Sequence, residues 1–177
     1  MRRPRALCAV AAVAAGIGSS SCQARAAPDS VSTSLREADC TPPPPEIAAP
    51  YTDRDLGVQQ CPAVPGWRLL LVSSDANTWV DVRGPAVTWS GERAIVYDMP
   101  IGLFPNVDAA GGVEWRRNGQ GEPTALMVRV VAQDREILTT QQSRLFVVRL
   151  TRTGACVIGR VATQLDARAL ADGDRNC

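Results

Sequence analysis

The chain contains no histidine and no lysine, and all 19 of its basic residues are arginine. Histidine is the commonest general base and a frequent metal ligand, so its absence removes the usual catalytic triads and most metal sites. Glycine-rich phosphate loops and the Gly-x-Ser-x-Gly motif are also missing from the sequence. We therefore expect a protein that is not an enzyme and that holds no cofactor and no metal.

A long apolar segment is missing too. The most apolar run, from Ala6 to Gly18, is 13 residues long, whereas a membrane-spanning helix needs about 20. Arginines precede this run and small residues follow it, which is the layout of a secretory signal. We expect residues 1–26 to be a signal peptide and the protein to be exported to the periplasm or the cell envelope.

Two processing routes fit the end of this signal. The string Ala24-Arg25-Ala26 follows the A-x-A rule and predicts a mature protein that begins at Ala27. Alternatively, the string that ends at Cys22 resembles a lipoprotein site, with a lipid on that cysteine, although Ser19 replaces the usual aliphatic residue. In either case, we expect the protein to contact a membrane only through its signal peptide or a lipid anchor on Cys22.

Concentrated positive charge is absent from the mature chain. Removal of residues 1–26 leaves 15 arginines against 18 acidic residues, a net charge near −3. Nucleic-acid binding requires a strongly basic face, so we expect no nucleic-acid partner.

Four cysteines remain after the signal is removed: Cys40, Cys61, Cys156 and Cys177. An even number of cysteines in an oxidising compartment predicts disulfides, and three pairings are possible. We favour Cys40–Cys61 and Cys156–Cys177 because each pair closes a loop of about 20 residues, for which chain entropy predicts about 3 kcal/mol of stabilisation. A structural zinc site is the alternative.

The chain divides into three parts. After the signal, residues 27–50 are rich in serine and proline and include four consecutive prolines, Pro42 to Pro45. Such a composition is typical of a flexible tether with a stiff polyproline segment. Residues 51–177 are then expected to form one disulfide-linked, β-rich domain.

Alternating apolar residues predict strands over most of this domain. Gly91–Arg93 and Asn118–Gly121 are turn signals between strand pairs, and the segments predicted as strands are 67–73, 78–83, 86–90, 94–98, 113–117, 124–131, 144–151 and 156–161. The predicted fold class is α+β: an antiparallel β-meander sheet or sandwich of six to eight strands with one short C-terminal helix.

The C-terminal helix has a start and a stop signal. Thr163 is suited to cap its first turn, and Gly173 is suited to a left-handed terminus. Between them we expect Leu165, Ala169 and Leu170 to form the inward stripe.

The string Glu114-Trp115-Arg116-Arg117 is unusual for a strand. In an extended chain, Glu114 and Arg116 point to one face and Trp115 to the other, where it either joins the core or lines a groove. Arg129 and Arg149 also lie mid-strand between apolar residues. One interpretation is a set of cross-strand ion pairs. The other is a binding face that grips an anionic partner, which requires Arg116, Arg129 and Arg149 on one side of the sheet.

Two further sets of residues suggest specific chemistry. Carboxylate pairs could support glycoside hydrolysis, and the local candidates are Asp53 with Asp55, Asp75 with Asp81, and Asp134 with Glu136. The four tryptophans, Trp67, Trp79, Trp89 and Trp115, are expected to be core anchors, although an exposed pair could form a platform for carbohydrate.

Several strings together resemble a family of uncharacterised exported proteins of Gram-negative bacteria. The resemblance covers about residues 51–177 and rests on Cys61-Pro62, Pro65-Gly66-Trp67, Ser74-Asp75-Ala76, Glu114 to Arg117, Pro123 to Val130, Ala155-Cys156-Val157 and Ala167 to Asp172. It implies an envelope location and no known activity. We therefore expect a non-enzymatic envelope module that binds a protein or a glycan. A small carboxylate-dependent enzyme acting on cell-wall glycan is the alternative.

Overall fold

The computed structural model describes residues 28–98 and 100–177, and these contain ten strands arranged in two antiparallel sheets. A short helix follows the last strand, so the predicted β-rich fold with one C-terminal helix is confirmed. The signal peptide and Cys22 lie outside the described residues, and both stay predictions.

The smaller sheet is a meander of four strands. Its members follow one another along the chain: β2 (Gly57–Cys61), β3 (Arg68–Ser73), β4 (Thr78–Arg83) and β5 (Thr88–Ser90). The turns between these strands are short, so each strand pairs with its neighbour in sequence. The strand predicted at 78–83 is confirmed at both ends.

The larger sheet has six strands and begins with a segment from the far N-terminal side. Its path runs β1, β7, β8, β9, β10, and β6 pairs with the part of β8 that extends beyond β7. The bounds are β1 (Asp29–Thr33), β6 (Leu103–Val107), β7 (Val113–Arg117), β8 (Pro123–Gln133), β9 (Gln141–Leu150) and β10 (Ala155–Val161). The predicted hairpins β7–β8 and β9–β10 are both confirmed.

The two sheets face each other across the main core. From the larger sheet, Trp115 and Val128 are fully buried in this core, and from the smaller sheet so are Leu69 and Val80. Alternate residues of β8, such as Met127, point to the opposite face and pack under the C-terminal helix. Because β8 is covered on both faces, its sequence is almost continuously apolar.

One helix covers the outer face of each sheet. These are α1 (Pro45–Thr52), beside the smaller sheet, and α2 (Gln164–Asp172), on the larger one. The hydroxyl of Thr163 accepts a hydrogen bond from the backbone N–H of Asp166, so the predicted N-terminal cap is confirmed. Neither helix is long and apolar enough to cross a membrane.

Both favoured disulfides are present. Cys40 bonds to Cys61 and Cys156 bonds to Cys177, each across 21 residues of sequence. The first joins the segment before α1 to β2, and the second joins the end of the chain to β10. The alternative of a zinc site is therefore wrong, since all four cysteines are consumed.

The segment expected to be a tether is folded where the structure describes it, from residue 28 onward. Residues 29–33 form β1 and pair along their whole length with β7, from Asp29 opposite Arg117 to Thr33 opposite Val113. Leu35 is fully buried in the core. The prolines do not form a spacer, because Pro45 occupies the first position of α1, where a missing N–H costs nothing.

Four local predictions differ from the structure. Strands β1, β2 and β6 are additional and the predicted strand at 94–98 is absent, so the count rises from eight to ten. Residues 93–98 form a π-helical turn instead of a strand. In α2 the buried residues are Ala167 and Ala171, and Leu165 is exposed. Gly173 has φ −78°, so the helix ends without a left-handed residue.

Candidate functional site

The predicted arginine face exists as a geometric feature of the larger sheet. Arg116 on β7 and Arg149 on β9 both lie opposite Ala125 on β8, and they therefore share one face of the sheet. Glu114 and Arg129 lie an even number of residues away on the same face. Trp115 points to the opposite face and is fully buried between the sheets, where it cannot contact a partner.

Helix α2 occupies this face. The guanidinium of Arg116 donates to both carboxylate oxygens of Asp172, at 3.0 and 2.5 Å, and to the hydroxyl of Ser30 at 2.7 Å. Arg168 donates to both oxygens of Glu114, at 2.7 and 3.0 Å. These bidentate pairs fix the helix to the strands beneath it.

Arg149 completes the attachment of α2 at its C-terminal end. Its three guanidinium nitrogens donate to the carbonyl oxygens of Arg175, Ala171 and Gly173 at 3.0, 2.7 and 2.7 Å. Ala171 lies in the last turn of α2 and Gly173 is its C-cap, where a helix leaves carbonyls unpaired, so the arginine supplies donors to this end of the helix. Glu114, Arg116 and Arg149 are thus engaged by contacts within the chain.

Glu114 is the most enclosed acid of this network. Burial alone would raise the pKa of its carboxyl, but hydrogen bonds from Arg168, Ser30 and Gln164 outweigh burial and hold the pKa below its ordinary value. Arg129 differs from the other arginines of the face, because it donates only to the hydroxyl of Ser143, at 3.2 Å. It lines a small cavity of about 80 Å³ between β7, β8 and α2.

The predicted carboxylate pairs do not form an acid pair around a cleft. Asp53 and Asp55 are exposed beside the end of α1, and Asp75 is exposed in the turn before β4. Asp81 is buried, and its carboxylate accepts from the hydroxyl of Tyr51 at 2.7 Å and from the backbone N–H of Gly91 at 3.2 Å.

A groove of about 680 Å³ opens at one end of the sandwich. Four separate segments form it: the approach to β3, the β4–β5 turn, the β7–β8 turn and the end of β9. Its lining residues are apolar at the floor and polar at the rim: Pro65, Trp67, Pro85, Ala86, Val87, Gln120, Gly121, Glu122, Pro123, Thr124, Leu150, Thr151 and Arg152.

Trp67 is held rigidly in this groove. Its ring meets Trp115 edge to face, with the ring centroids 6.0 Å apart. The ring also lies close to Gly84, where an added Cβ would come within 2.8 Å of it. Because both neighbours are fixed, the part of the ring that reaches the groove presents a preformed apolar surface.

Three of the five polar residues that line the groove bond within the protein itself. The hydroxyl of Thr124 donates to the carbonyl of Arg116, and that of Thr151 donates to the carbonyl of Gly154. The carboxylate of Glu122 accepts from the side-chain amide of Asn118 at 3.0 Å. Three of the lining residues are prolines, which have no backbone N–H to offer a ligand.

Sequence reasoning missed the groove. The string Pro65-Gly66-Trp67 was treated as the approach to a strand with its tryptophan in the core. The signal that could have found the groove is the position of Trp67 next to the turn Pro65-Gly66, where part of a ring stays accessible. Trp67 is partly buried, whereas Trp115 is fully buried.

No family model, curated protein or solved structure matches the chain. The resemblance to exported proteins of Gram-negative bacteria therefore stays a prediction. Within residues 28–98 and 100–177, no cluster of three or more acidic or cysteine side chains is placed to hold a metal ion.

Proposed function

We propose that the protein is a non-enzymatic binding module of the bacterial envelope, which takes an apolar side chain of a partner protein into the groove beside Trp67. The single observation that carries this proposal is the groove itself: a preformed cavity with an aromatic and aliphatic floor. Concave sites of this size with few polar groups are typical of ligand binding.

The chemistry of the rim favours a protein over a glycan. A sugar needs many hydrogen bonds and an open aromatic face, but the hydroxyls of Thr124 and Thr151 already donate within the protein, and Trp67 is partly buried against Trp115. The prolines also remove the donors that strand addition would require. An apolar side chain needs neither, and its burial is worth about 1.5–3 kcal/mol.

The same geometry favours binding over glycan hydrolysis. Hydrolysis of a glycosidic bond uses two carboxyl groups on opposite sides of the bond. Glu122 is the single acid among the residues that line the groove. The two disulfides and the signal-like N-terminal sequence support a location in an oxidising compartment outside the cytoplasm.

A library of random heptapeptides displayed on phage tests the proposal. Wild-type protein is compared with Ala86→Arg, which places a long side chain at an exposed position of the groove wall, and with Ala110→Arg, a matched change at an exposed turn that does not line the groove. We expect enriched peptides to share an apolar residue, to lose binding to A86R at least tenfold, and to bind A110R normally.

Three outcomes would contradict this function. Peptides that bind A86R as well as wild type would remove the groove from the interaction. Absence of any enrichment would argue against a peptide-binding module. Sedimentation of the wild type, but not A86R, with purified cell-wall polymer would assign the groove to a glycan instead.

A further inference from the structure

A row of hydrogen-bond donors crosses the smaller sheet near one end, and we propose that it binds a phosphate group. Arg68 on β3 lies directly opposite Arg83 on β4, and Arg83 lies directly opposite Thr88 on β5. Residues that face each other across antiparallel strands share one side of the sheet, with Cβ atoms about 5 Å apart. The two guanidinium groups and the hydroxyl therefore belong to a single surface.

The two arginines are held in place by uncharged neighbours. Arg68 donates to the side-chain oxygen of Gln60 at 2.8 Å. The guanidinium carbon of Arg83 lies 5.9 Å from the centre of the Tyr51 ring, and its Nη2 lies 3.5 Å from the hydroxyl oxygen of that tyrosine. Like charges directly opposite each other destabilise a sheet. An anion bound between Arg68 and Arg83 would remove this repulsion.

No such anion is supplied by the described part of the chain. Neither Arg68 nor Arg83 forms an ion pair with any carboxylate of residues 28–98 or 100–177. Asp81, two residues before Arg83 on the same face, is engaged by Tyr51 and by the N–H of Gly91. The Nε–H of Arg83 is buried and has no hydrogen-bond acceptor in this part of the structure. Most of the ten N–H donors of the pair are thus unused.

The charge and the donor geometry favour a tetrahedral dianion such as phosphate over a carboxylate. Each guanidinium presents a planar fork that matches two oxygens of a phosphate. Two such forks match the charge of a phosphate dianion, whereas a carboxylate has one charge and two oxygens. The exposed hydroxyl of Thr88 adds a third donor at the end of the row. None of its three residues lines the proposed groove, although the β4–β5 turn that joins Arg83 to Thr88 does.

Calorimetric titration with inorganic phosphate, at constant ionic strength set with chloride, tests the site. The proteins compared are wild type, the double variant Arg68→Gln/Arg83→Gln, and Arg135→Gln as the matched control on an exposed turn of the larger sheet. We expect saturable binding to wild type and R135Q. The double variant should bind at least about tenfold more weakly, because it loses both charges and the charge-assisted hydrogen bonds that they would donate to the phosphate. Equal binding by the double variant would overturn the proposal.

The variant Arg68→Glu gives a second readout that does not depend on a binding signal. It replaces the like-charge pair by an ion pair across β3 and β4. Without phosphate, we expect R68E to melt at a higher temperature than wild type, and phosphate should raise the melting temperature of wild type but not of R68E. A lower melting temperature for R68E than for wild type in phosphate-free buffer would show that Arg68 and Arg83 do not repel each other enough to destabilise the sheet, and would contradict the proposal.

Vesicles separate the two sources of the phosphate group. Sedimentation with phosphatidylcholine vesicles that contain phosphatidic acid is compared with pure phosphatidylcholine, for wild type and for the double variant. Binding that needs both phosphatidic acid and the two arginines assigns the site to a lipid headgroup. Binding of inorganic phosphate alone assigns it to a soluble phosphate compound. Vesicle binding that survives in the double variant would count against the site.

Discussion

Each sheet carries one helix on its outer side and one disulfide next to that helix, yet the two helices are held by different kinds of contact. Helix α2 is attached by charge: Arg168 to Glu114, and Asp172 to Arg116. Within residues 28–98 and 100–177, helix α1 forms no ion pair with its own sheet, and its polar link is the hydrogen bond from the hydroxyl of Tyr51 to the carboxylate of Asp81.

The difference shows that similar architecture does not imply similar electrostatics. Glu114 faces cations, and its pKa falls. Asp81 is surrounded by neutral donors, and burial raises the pKa of its carboxyl more than hydrogen bonds from Ser90, Tyr51 and Gly91 lower it. Burial of the Tyr51 hydroxyl and the nearby negative charge of Asp81 raise the pKa of Tyr51 to about 12. The two buried acids must therefore respond to pH in opposite directions.

The largest effect is expected from removing the disulfides one at a time. Both close loops of 21 residues, so chain entropy predicts about 3 kcal/mol for each. We expect the double variant Cys40→Ser/Cys61→Ser to lose more free energy of unfolding than Cys156→Ser/Cys177→Ser. Cys61 is 5 % exposed, and a serine there buries a hydroxyl without an assigned partner. Urea unfolding of both double variants measures the difference. Equal losses would show that α1 and α2 depend on their disulfides alike.

The parts that sequence predicted correctly are local in origin. β4 was found at its true bounds because Thr78–Arg83 alternates, and the β7–β8 hairpin because Asn118–Gly121 is a strong turn signal. The favoured disulfides followed from loop length.

The parts that were missed depend on contacts between distant residues. The serines and threonines of β1 carry no apolar pattern and so predict a tether. The strand forms by pairing with β7, where the partner of Ser30 is Arg116, 86 residues later. Arg116, Arg129 and Arg149 do share one side of the larger sheet, whereas Trp115 points to the other, and a strand pattern cannot show that α2 covers the arginines. The groove draws on four segments that no single stretch of sequence brings together.

A smaller effect is expected where charge holds α2. Glu114→Gln removes the ion pair with Arg168 and should lower the free energy of unfolding by about 2 kcal/mol at neutral pH. Because the folded-state pKa of Glu114 is lowered, the stabilisation is present above the unfolded-state pKa and is lost as the pH falls through the folded-state value. Urea unfolding between pH 3 and neutrality, in steps of about one unit, should show the gap between wild type and E114Q close on acidification.

Glu136→Gln is the matched control for this test, since Glu136 is exposed in the β8–β9 turn and forms no ion pair with a described residue. It should change stability little at any of these pH values. A gap for E114Q that stays constant down to acid pH would mean that the glutamate contributes through packing and not through its charge.

The smallest effect, and the one of opposite sign, is expected beside α1. Asp81→Asn keeps the shape of the side chain and removes its charge. The folded-state pKa of Asp81 is raised, so its stability contribution is complete below the unfolded-state pKa and is lost as the pH rises through the folded-state value. Wild type should therefore lose stability relative to D81N on going from acid to neutral pH. Asp53→Asn, at an exposed carboxylate beside the same helix, should show no such trend. If the stability differences of D81N and E114Q from wild type changed with pH in the same direction, the two helices would share one electrostatic mechanism. The contrast between α2, attached by ion pairs, and α1, packed over a buried acid with a raised pKa, would then be wrong.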